Sequence, residues 1–219
     1  VEFSHMVMGP AAGLMLADLG ADVIKVESAI GDNVRHIAPM KSPAMGAGYL
    51  NANRCKRSVV LDLKTPDGNA ALMKILESAD VLVTNMRRQA LSRLGLDRET
   101  ICARFPKLIH CCAVGFGRGG PYENDAAYDD VVQALSGFAS VNADKDGAPR
   151  FVPQIIVDKL SGLFIVEGVL AALVHRERTG NAVPFEAPLM ARPSYFLRTQ
   201  HRQGQTPHPP LRPPGEDRG

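Results

Sequence analysis

The stretch Val1-Glu2-Phe3-Ser4-His5, then Gly9-Pro10, then Gly20-Ala21-Asp22-Val23-Ile24-Lys25-Val26-Glu27 decides the fold. Its first five residues read as the end of a β-strand. Gly9-Pro10 opens a helix, with proline in the first turn where its missing N–H costs nothing. Leu14, Leu16, Ala17 and Leu19 are the helix's apolar members, and Gly20 closes it. Ala21 to Glu27 is the next strand. A strand–helix–strand unit of this length requires parallel pairing through a right-handed crossover. The same rhythm continues with strands over 57–63, 80–84 and 108–114, helices over 67–78, 90–94 and 98–104, and a further helix from Tyr128. Strands alternating with helices of these lengths predict an α/β fold with a mostly parallel sheet and flanking helices. Ligands of such sheets collect beyond the strand ends. That singles out His5, Glu27, Lys64, Asn85 and the run Gly115-Phe116-Gly117-Arg118-Gly119-Gly120-Pro121.

Composition narrows the function classes. The chain has 219 residues, 45% apolar and 22% charged, with a formal net charge of +2. This length suits one large domain or two small ones, and the near-neutral balance argues against nucleic acid or an acidic membrane as partner. No apolar run approaches the roughly 20 residues of a membrane span. No basic segment leading into an apolar core opens the sequence. Cys55, Cys102, Cys111 and Cys112 have neither metal-site spacing nor the density of a secreted scaffold, which predicts no metal site and a reducing, cytoplasmic setting. Adjacent Cys111 and Cys112 fall in an apolar run and read as small buried hydrophobes. The glycine run lacks both the G-x-G-x-x-G spacing into a helix and the Lys-Ser/Thr of a phosphate loop. It is a plain turn or a loop that lets backbone approach a ligand. From Asn181 the character changes: half of the chain's 16 prolines lie there, and Pro207 to Pro214 excludes helix and central strand.

A second stretch carries the candidate chemistry: Phe151-Val152-Pro153-Gln154-Ile155-Ile156-Val157-Asp158-Lys159-Leu160-Ser161-Gly162. After Asp158 the residues Leu160, Leu163, Phe164, Val166, Val169, Leu170 and Leu173 recur at helical spacing, and the pattern stops at Gly180. The apolar run from Ile155 to Val157 thus delivers Asp158 to, or just before, a helix N-terminus, where free N–H groups and the helix dipole favour a carboxylate. An N-cap and a carboxylate nucleophile both fit that placement.

The blocks Leu16-Ala17-Asp18-Leu19-Gly20-Ala21-Asp22-Val23-Ile24-Lys25-Val26-Glu27, Gly31-Asp32-Asn33-Val34-Arg35, Asn53-Arg54-Cys55-Lys56-Arg57-Ser58, Leu61-Asp62-Leu63-Lys64 and Ala79-Asp80-Val81-Leu82-Val83-Thr84-Asn85 resemble, in order and spacing, the class III CoA-transferases (the CaiB/BaiF family). Arg93-Leu94-Gly95-Leu96, Gly115-Phe116-Gly117, Gly120-Pro121-Tyr122, Tyr128-Asp129 and Thr179-Gly180 extend the resemblance to about Gly180. It implies a Rossmann-like sheet and transfer of CoA from an acyl-CoA thioester to a free carboxylic acid. An aspartate there passes through a mixed anhydride and an aspartyl-CoA thioester, dividing a hard exchange into easier steps. The family's nucleophile lies about thirty residues beyond the Tyr-Asp pair, which by resemblance assigns the role to Asp158.

The resemblance further implies CoA contacts at His5, Leu61, Lys64, Asn85, Met86 and Arg93, with CoA or acyl-CoA as substrate and no tightly bound cofactor. Val7 and Met8 depart from polar or small residues found in some members. The same fold hosts α-methylacyl-CoA racemases, which need a histidine where this chain has Tyr128; a phenol titrating near pH 10 is a poor acid–base replacement. An inactive fragment or pseudo-enzyme is the third reading. Compared with the family, the chain is expected to be an N-terminal half. Residues 1–180 then form the CoA-binding part of an incomplete, normally interlocked dimer fold, and residues 181–219 a proline-rich connection or tail towards a smaller domain. The expected partners are an acyl-CoA, a small carboxylic acid and a second copy of the full-length chain.

Overall fold

The computed structural model describes residues 1–203. In chain order its elements are β1 (Glu2–Phe3), α1 (Met8–Asp18), β2 (Val23–Glu27), a 3-10 turn (Asn33–His36), α2 (Ala47–Asn53), β3 (Lys56–Val60), α3 (Pro66–Leu76) and β4 (Val81–Thr84). There follow α4 (Arg88–Leu94), α5 (Arg98–Arg104), β5 (Ile109–Val114), α6 (Asp129–Leu135), α7 (Phe138–Val141), α8 (Ile156–Thr179), β6 (Phe185–Pro188) and α9 (Ala191–Gln203). The six strands form one sheet in the order β3-β2-β1-β4-β5-β6, and every neighbouring pair is parallel. This is the α/β fold with flanking helices that the alternation predicts. The chain winds outward from β1 through β2 to β3, then returns to the other flank of β1 with β4. Such a reversal opens a crevice beyond the carboxyl ends of the two central strands.

Two apolar layers cover the sheet. On one face α1 and α8 contribute Met8, Ala12, Val157, Ile165, Val166 and Val169, which pack on Val83, Cys111 and Ala113. On the other, Leu72, Leu76, Leu91, Leu96 and Ile101 pack on Leu82, Cys112 and Val114. All six residues of β5 are buried because both its faces are covered. Successive side chains of a strand point to opposite faces, which places Cys111 and Cys112 in different cores. Each fully buried leucine or isoleucine contributes about 1.5–3 kcal/mol.

Local chemistry sets the helix ends. Thr65 Oγ1 accepts from Gly68 N–H (3.1 Å) at the start of α3, ahead of Pro66, and Asp97 Oδ1 accepts from Thr100 N–H (3.0 Å) at the start of α5. Gly180 takes the left-handed conformation (φ 76°) that ends α8. Where Gly162 of α8 meets α1, a Cβ would stand 3.1 Å from that of Ala11, so the missing side chain permits the close approach.

Three differences from the sequence pattern have physical causes. The 3-10 turn, α2 and α7 are too short, and α2 too glycine-flanked, to show a helical period. Beyond Gly180, β6 joins the sheet edge, with Ala187 opposite Ala113 and Pro188 opposite Val114. Proline is tolerated on an edge strand, so the four residues after Pro184, with Pro188 among them, still pair. Finally, α8 begins at Ile156, and no strand delivers Asp158 to it. The proline run Pro207 to Pro214 lies outside the described residues.

Candidate active site

The central crevice is built from the ends of β1 and β4. His5 N–H donates to Asn85 Oδ1 (2.9 Å), and Asn85 Nδ2 donates back to the His5 carbonyl (2.7 Å), so two residues eighty positions apart form one rim. The next residue, Met6, has φ 66° without being glycine. Its N–H is held by Asp32 Oδ1 (3.0 Å) from the loop after β2. Asp32 is anchored by Lys25, whose ammonium reaches Asp32 Oδ2 (3.0 Å), Glu2 Oε1 (2.8 Å) and the Ser4 carbonyl (3.1 Å). Lys56 completes the cluster on Glu2 Oε2 (2.6 Å). Burial alone would raise Glu2, but Lys25 and Lys56 outweigh it and hold its carboxyl below the usual range. Burial lowers His5, against the pull of Asp32. A strained backbone held from several sides is the pattern expected where a loop is preset for a ligand.

The remaining predicted contacts lie along the same edge of the sheet. Leu61 follows β3, its N–H bonded to the Glu27 carbonyl (2.9 Å), and its side chain packs on the α3–α5 core with that of Met86. Lys64 and Arg93 are exposed. Asn69 Nδ2 in the first turn of α3 donates to the Leu94 carbonyl at the end of α4 (2.8 Å), which ties the helix after Lys64 to the helix that carries Arg93. Glu27, singled out as a strand-end residue, is taken up internally. It receives Arg35 (2.6 and 2.9 Å), Ser58 Oγ (2.6 Å) and Asp32 N–H (3.0 Å). Although burial opposes it, these donors pull Glu27 down to about 2.

Asp158 stands at the same edge, because α8 starts beside the start of α1, with Val157 and Met8 in one cluster. It is the third residue of the helix rather than its cap, and Ile155 at the cap position makes no side-chain bond. The capping is done from a distance. Asp129, the first residue of α6, accepts the Asp158 N–H on Oδ2 (2.9 Å). Asp129 is itself gripped by Gln133 Nε2 on Oδ1 (2.6 Å), while Gln133 Oε1 accepts Val152 N–H (2.9 Å) in the loop that leads to α8. The segment before α6 lies against the glycine run: a Cβ on Gly115 would come within 2.6 Å of that of Ala127. Burial first, and the Asp129 charge second, push the Asp158 carboxyl up to about 6. Two N–H groups of the helix start are already engaged, Ile156 with Gln154 O (2.8 Å) and Asp158 with Asp129.

Sequence patterns did not single out Asp32, Lys25 or Gln133. Lys25 and Glu2 occupy strand positions that read as ordinary alternation, and only the tertiary fold pairs them. Lys25, Asp32 and Asp129 did stand in blocks carrying the family resemblance. Among the described residues no group of three or more His, Cys, Asp or Glu could hold a metal ion, and no helix is long and apolar enough to cross a membrane. Tyr128, at the position a racemase would need as histidine, is 59% exposed.

Comparison with known proteins adds relatives. The profile of CoA-transferase family III matches residues 1–217. A succinate–glutarate CoA-transferase of Agrobacterium fabrum is 40% identical over 208 residues, which cover 92% of this chain and 52% of that protein. A formyl-CoA:oxalate CoA-transferase of Escherichia coli O6:H1 is 39% identical over 184 residues, 82% of this chain and 44% of that protein. The crystal structure of a CaiB/BaiF family protein from Brucella suis superposes with a TM-score of 0.87 at 34% identity, over 91% of this chain and 54% of that one. The chain spans about half the length of the curated relatives it matches.

Proposed function

The chain belongs to CoA-transferase family III, and from that premise we propose that it carries the nucleophile and part of the CoA site of an enzyme that moves CoA from an acyl-CoA to a free carboxylic acid. The observation that carries this reading is Asp158: a partly buried carboxylate at the strand-end edge, raised to about 6, with its backbone N–H fixed by Asp129. Above that value it is ionised yet poorly solvated, the condition in which a carboxylate can attack. An Asp158 oxygen adds to the thioester carbonyl, the C–S bond breaks, and CoA leaves as thiolate, giving a mixed anhydride. The thiolate attacks the aspartyl carbonyl, releasing the donor acid and leaving an aspartyl-CoA thioester. The acceptor carboxylate attacks that thioester to form a second anhydride and free thiolate. Attack of the thiolate on the acceptor's carbonyl gives the new acyl-CoA and regenerates Asp158.

In this proposal CoA lies along the strand-end rim. His5 and Asn85 face the pantetheine, Leu61 and Met86 offer apolar contact, and Lys64 and Arg93 meet the phosphates, where exposed cations suit a phosphorylated ligand. The donor is an acyl-CoA and the acceptor a small carboxylic acid; the names of two relatives include the short dicarboxylates succinate, glutarate and oxalate, beside a formyl donor. In this reading residues 1–180 form the CoA-binding part, and residues 181–219 lead towards a smaller domain through β6 and α9. The working assembly is a cytoplasmic homodimer.

Hydroxylamine trapping tests the core of the proposal. The native protein, incubated with succinyl-CoA or glutaryl-CoA and then hydroxylamine, is expected to carry a hydroxamate at Asp158 by mass spectrometry, and Asp158→Ala to abolish both labelling and CoA exchange. Labelling of another carboxylate would refute the assignment.

A further inference from the structure

Gln133 is fully buried, with 2% of its surface exposed, and its amide makes bonds that a core residue does not need for packing. Its oxygen accepts Val152 N–H (2.9 Å), and its nitrogen donates to Asp129 Oδ1 (2.6 Å) and faces the carbonyls of Val152 and Gln154 (3.5 Å each). One side chain therefore joins α6 to the loop that enters α8. It also decides how Asp129 stands: with Oδ1 taken by Gln133, Oδ2 is the oxygen left for Asp158 N–H (2.9 Å).

The chemistry next to Asp158 makes that arrangement matter. Two neighbouring carboxylates without donors of their own share a proton, because both cannot ionise cheaply side by side. A shared proton would occupy the oxygens with which Asp158 attacks. Each oxygen of Asp129 already accepts an N–H, Oδ1 from Gln133 and Oδ2 from Asp158, so a bridging proton would have to compete with these two bonds. The other charged or titratable groups near the first turn of α8 are engaged or turned away. Lys159 sends its ammonium to Asn51 Oδ1 of α2 (3.3 Å), Tyr128 is largely exposed, and Asp130 accepts its neighbour Val131 N–H (2.9 Å).

We propose that Gln133 is a positioning residue of the exchange reaction: by holding Asp129 as a doubly engaged acceptor and fixing the loop at Val152, it keeps the Asp158 carboxylate free of a shared proton and aimed for attack. The proposal rests on Asp158 being the nucleophile. It predicts an effect on ionisation that a merely structural glutamine would not have.

The test is a titration of the Asp158 carboxyl by carbon-13 NMR in the native protein, alongside kcat and KM for exchange of labelled succinate into succinyl-CoA. Gln133→Met, similar in length and without hydrogen bonds, is expected to move the Asp158 midpoint upward by about one pH unit and to lower kcat about tenfold, with KM changed less than about threefold. Asp129→Asn removes the neighbouring charge and is expected to move the midpoint downward. In that background, adding Gln133→Met should leave the midpoint where it is. A lower melting temperature for Gln133→Met with an unmoved midpoint would overturn the proposal. So would an additive effect of Gln133→Met in the Asp129→Asn protein. If Gln133→Met does not fold, Asp129→Asn alone decides, an unmoved midpoint counting against the proposal. Labelling at a carboxylate other than Asp158 would instead remove the underlying assignment, and it is read separately by mass spectrometry.

Discussion

At the scale of single residues, the fold keeps Asp158 in an unfavourable state. Its carboxyl goes from an ordinary 3.8 to about 6, by burial and by the charge of Asp129. The sign of the linkage follows. Below about pH 3.8 the group is protonated in both states and contributes nothing, whereas above about 6 its ionisation costs folding free energy. Each pKa unit is worth about 1.4 kcal/mol, so the upper bound is roughly 3 kcal/mol, reduced by the part that solvent reaches. Asp158→Asn is therefore expected to raise stability by about 2 kcal/mol at pH 8, with the gain fading below about pH 4. Denaturant melts of both proteins across that range check it; an Asn variant no more stable than the parent at pH 8 would mean that the carboxylate is well solvated.

At the scale of elements, much was legible in the sequence where the signal is local. Helix α5 falls at Arg98–Arg104 and α8 stops at Gly180, as their patterns predict, because the cap of α5 is its own Asp97 and the stop is a glycine in place. The start of α8 was not legible, since its capping carboxylate comes from Asp129, 29 residues upstream. Nor did alternation in β2 reveal that Lys25 is fully buried, because its counter-charges come from β1 and from the loop after β2. That cluster has a consequence for β1, β2 and the Met6 turn together. Removing one partner of a buried charge group costs about 3–5 kcal/mol. Lys25→Met is expected to destabilise by about that much and to weaken CoA binding by releasing Asp32 from Met6, with calorimetry reading both. Glu2→Gln in the same chain should recover part of the stability. Acid acts in the same sense. Glu2 and Glu27 lie below their usual 4.5, so the stability they provide is complete above that value and is lost as pH falls, for Glu27 towards about 2. A Lys25→Met protein as stable as the parent at pH 7 would show that the cluster contributes little.

At the scale of the whole molecule, α8 is apolar on two sides. Val157, Ile165, Val166 and Val169 face the sheet, as a covering helix requires. Leu163, Leu170 and Val174, at 54%, 45% and 50% exposure, form a second stripe, since steps of seven and four residues return to one side of a helix. Phe164 extends this surface to Tyr195 and Phe196 of α9, with ring centroids 6.1 and 6.3 Å away. Apolar surface gains about 25 cal/mol for each Å² removed from water, and contiguous exposed patches drive association. Residues 1–219 produced alone are therefore expected to self-associate through α8 and to bind a hydrophobic dye. Replacing both Leu170 and Val174 by lysine should lower the apparent mass in sedimentation while leaving the melting temperature nearly unchanged, because neither side chain reaches the sheet. An unsubstituted chain that sediments as a monomer at micromolar concentration would mean that this stripe is tolerated in water. A substituted chain that associates as before would place the contact elsewhere, with the outer side of β6, which pairs with no further strand among the described residues, the next surface to test.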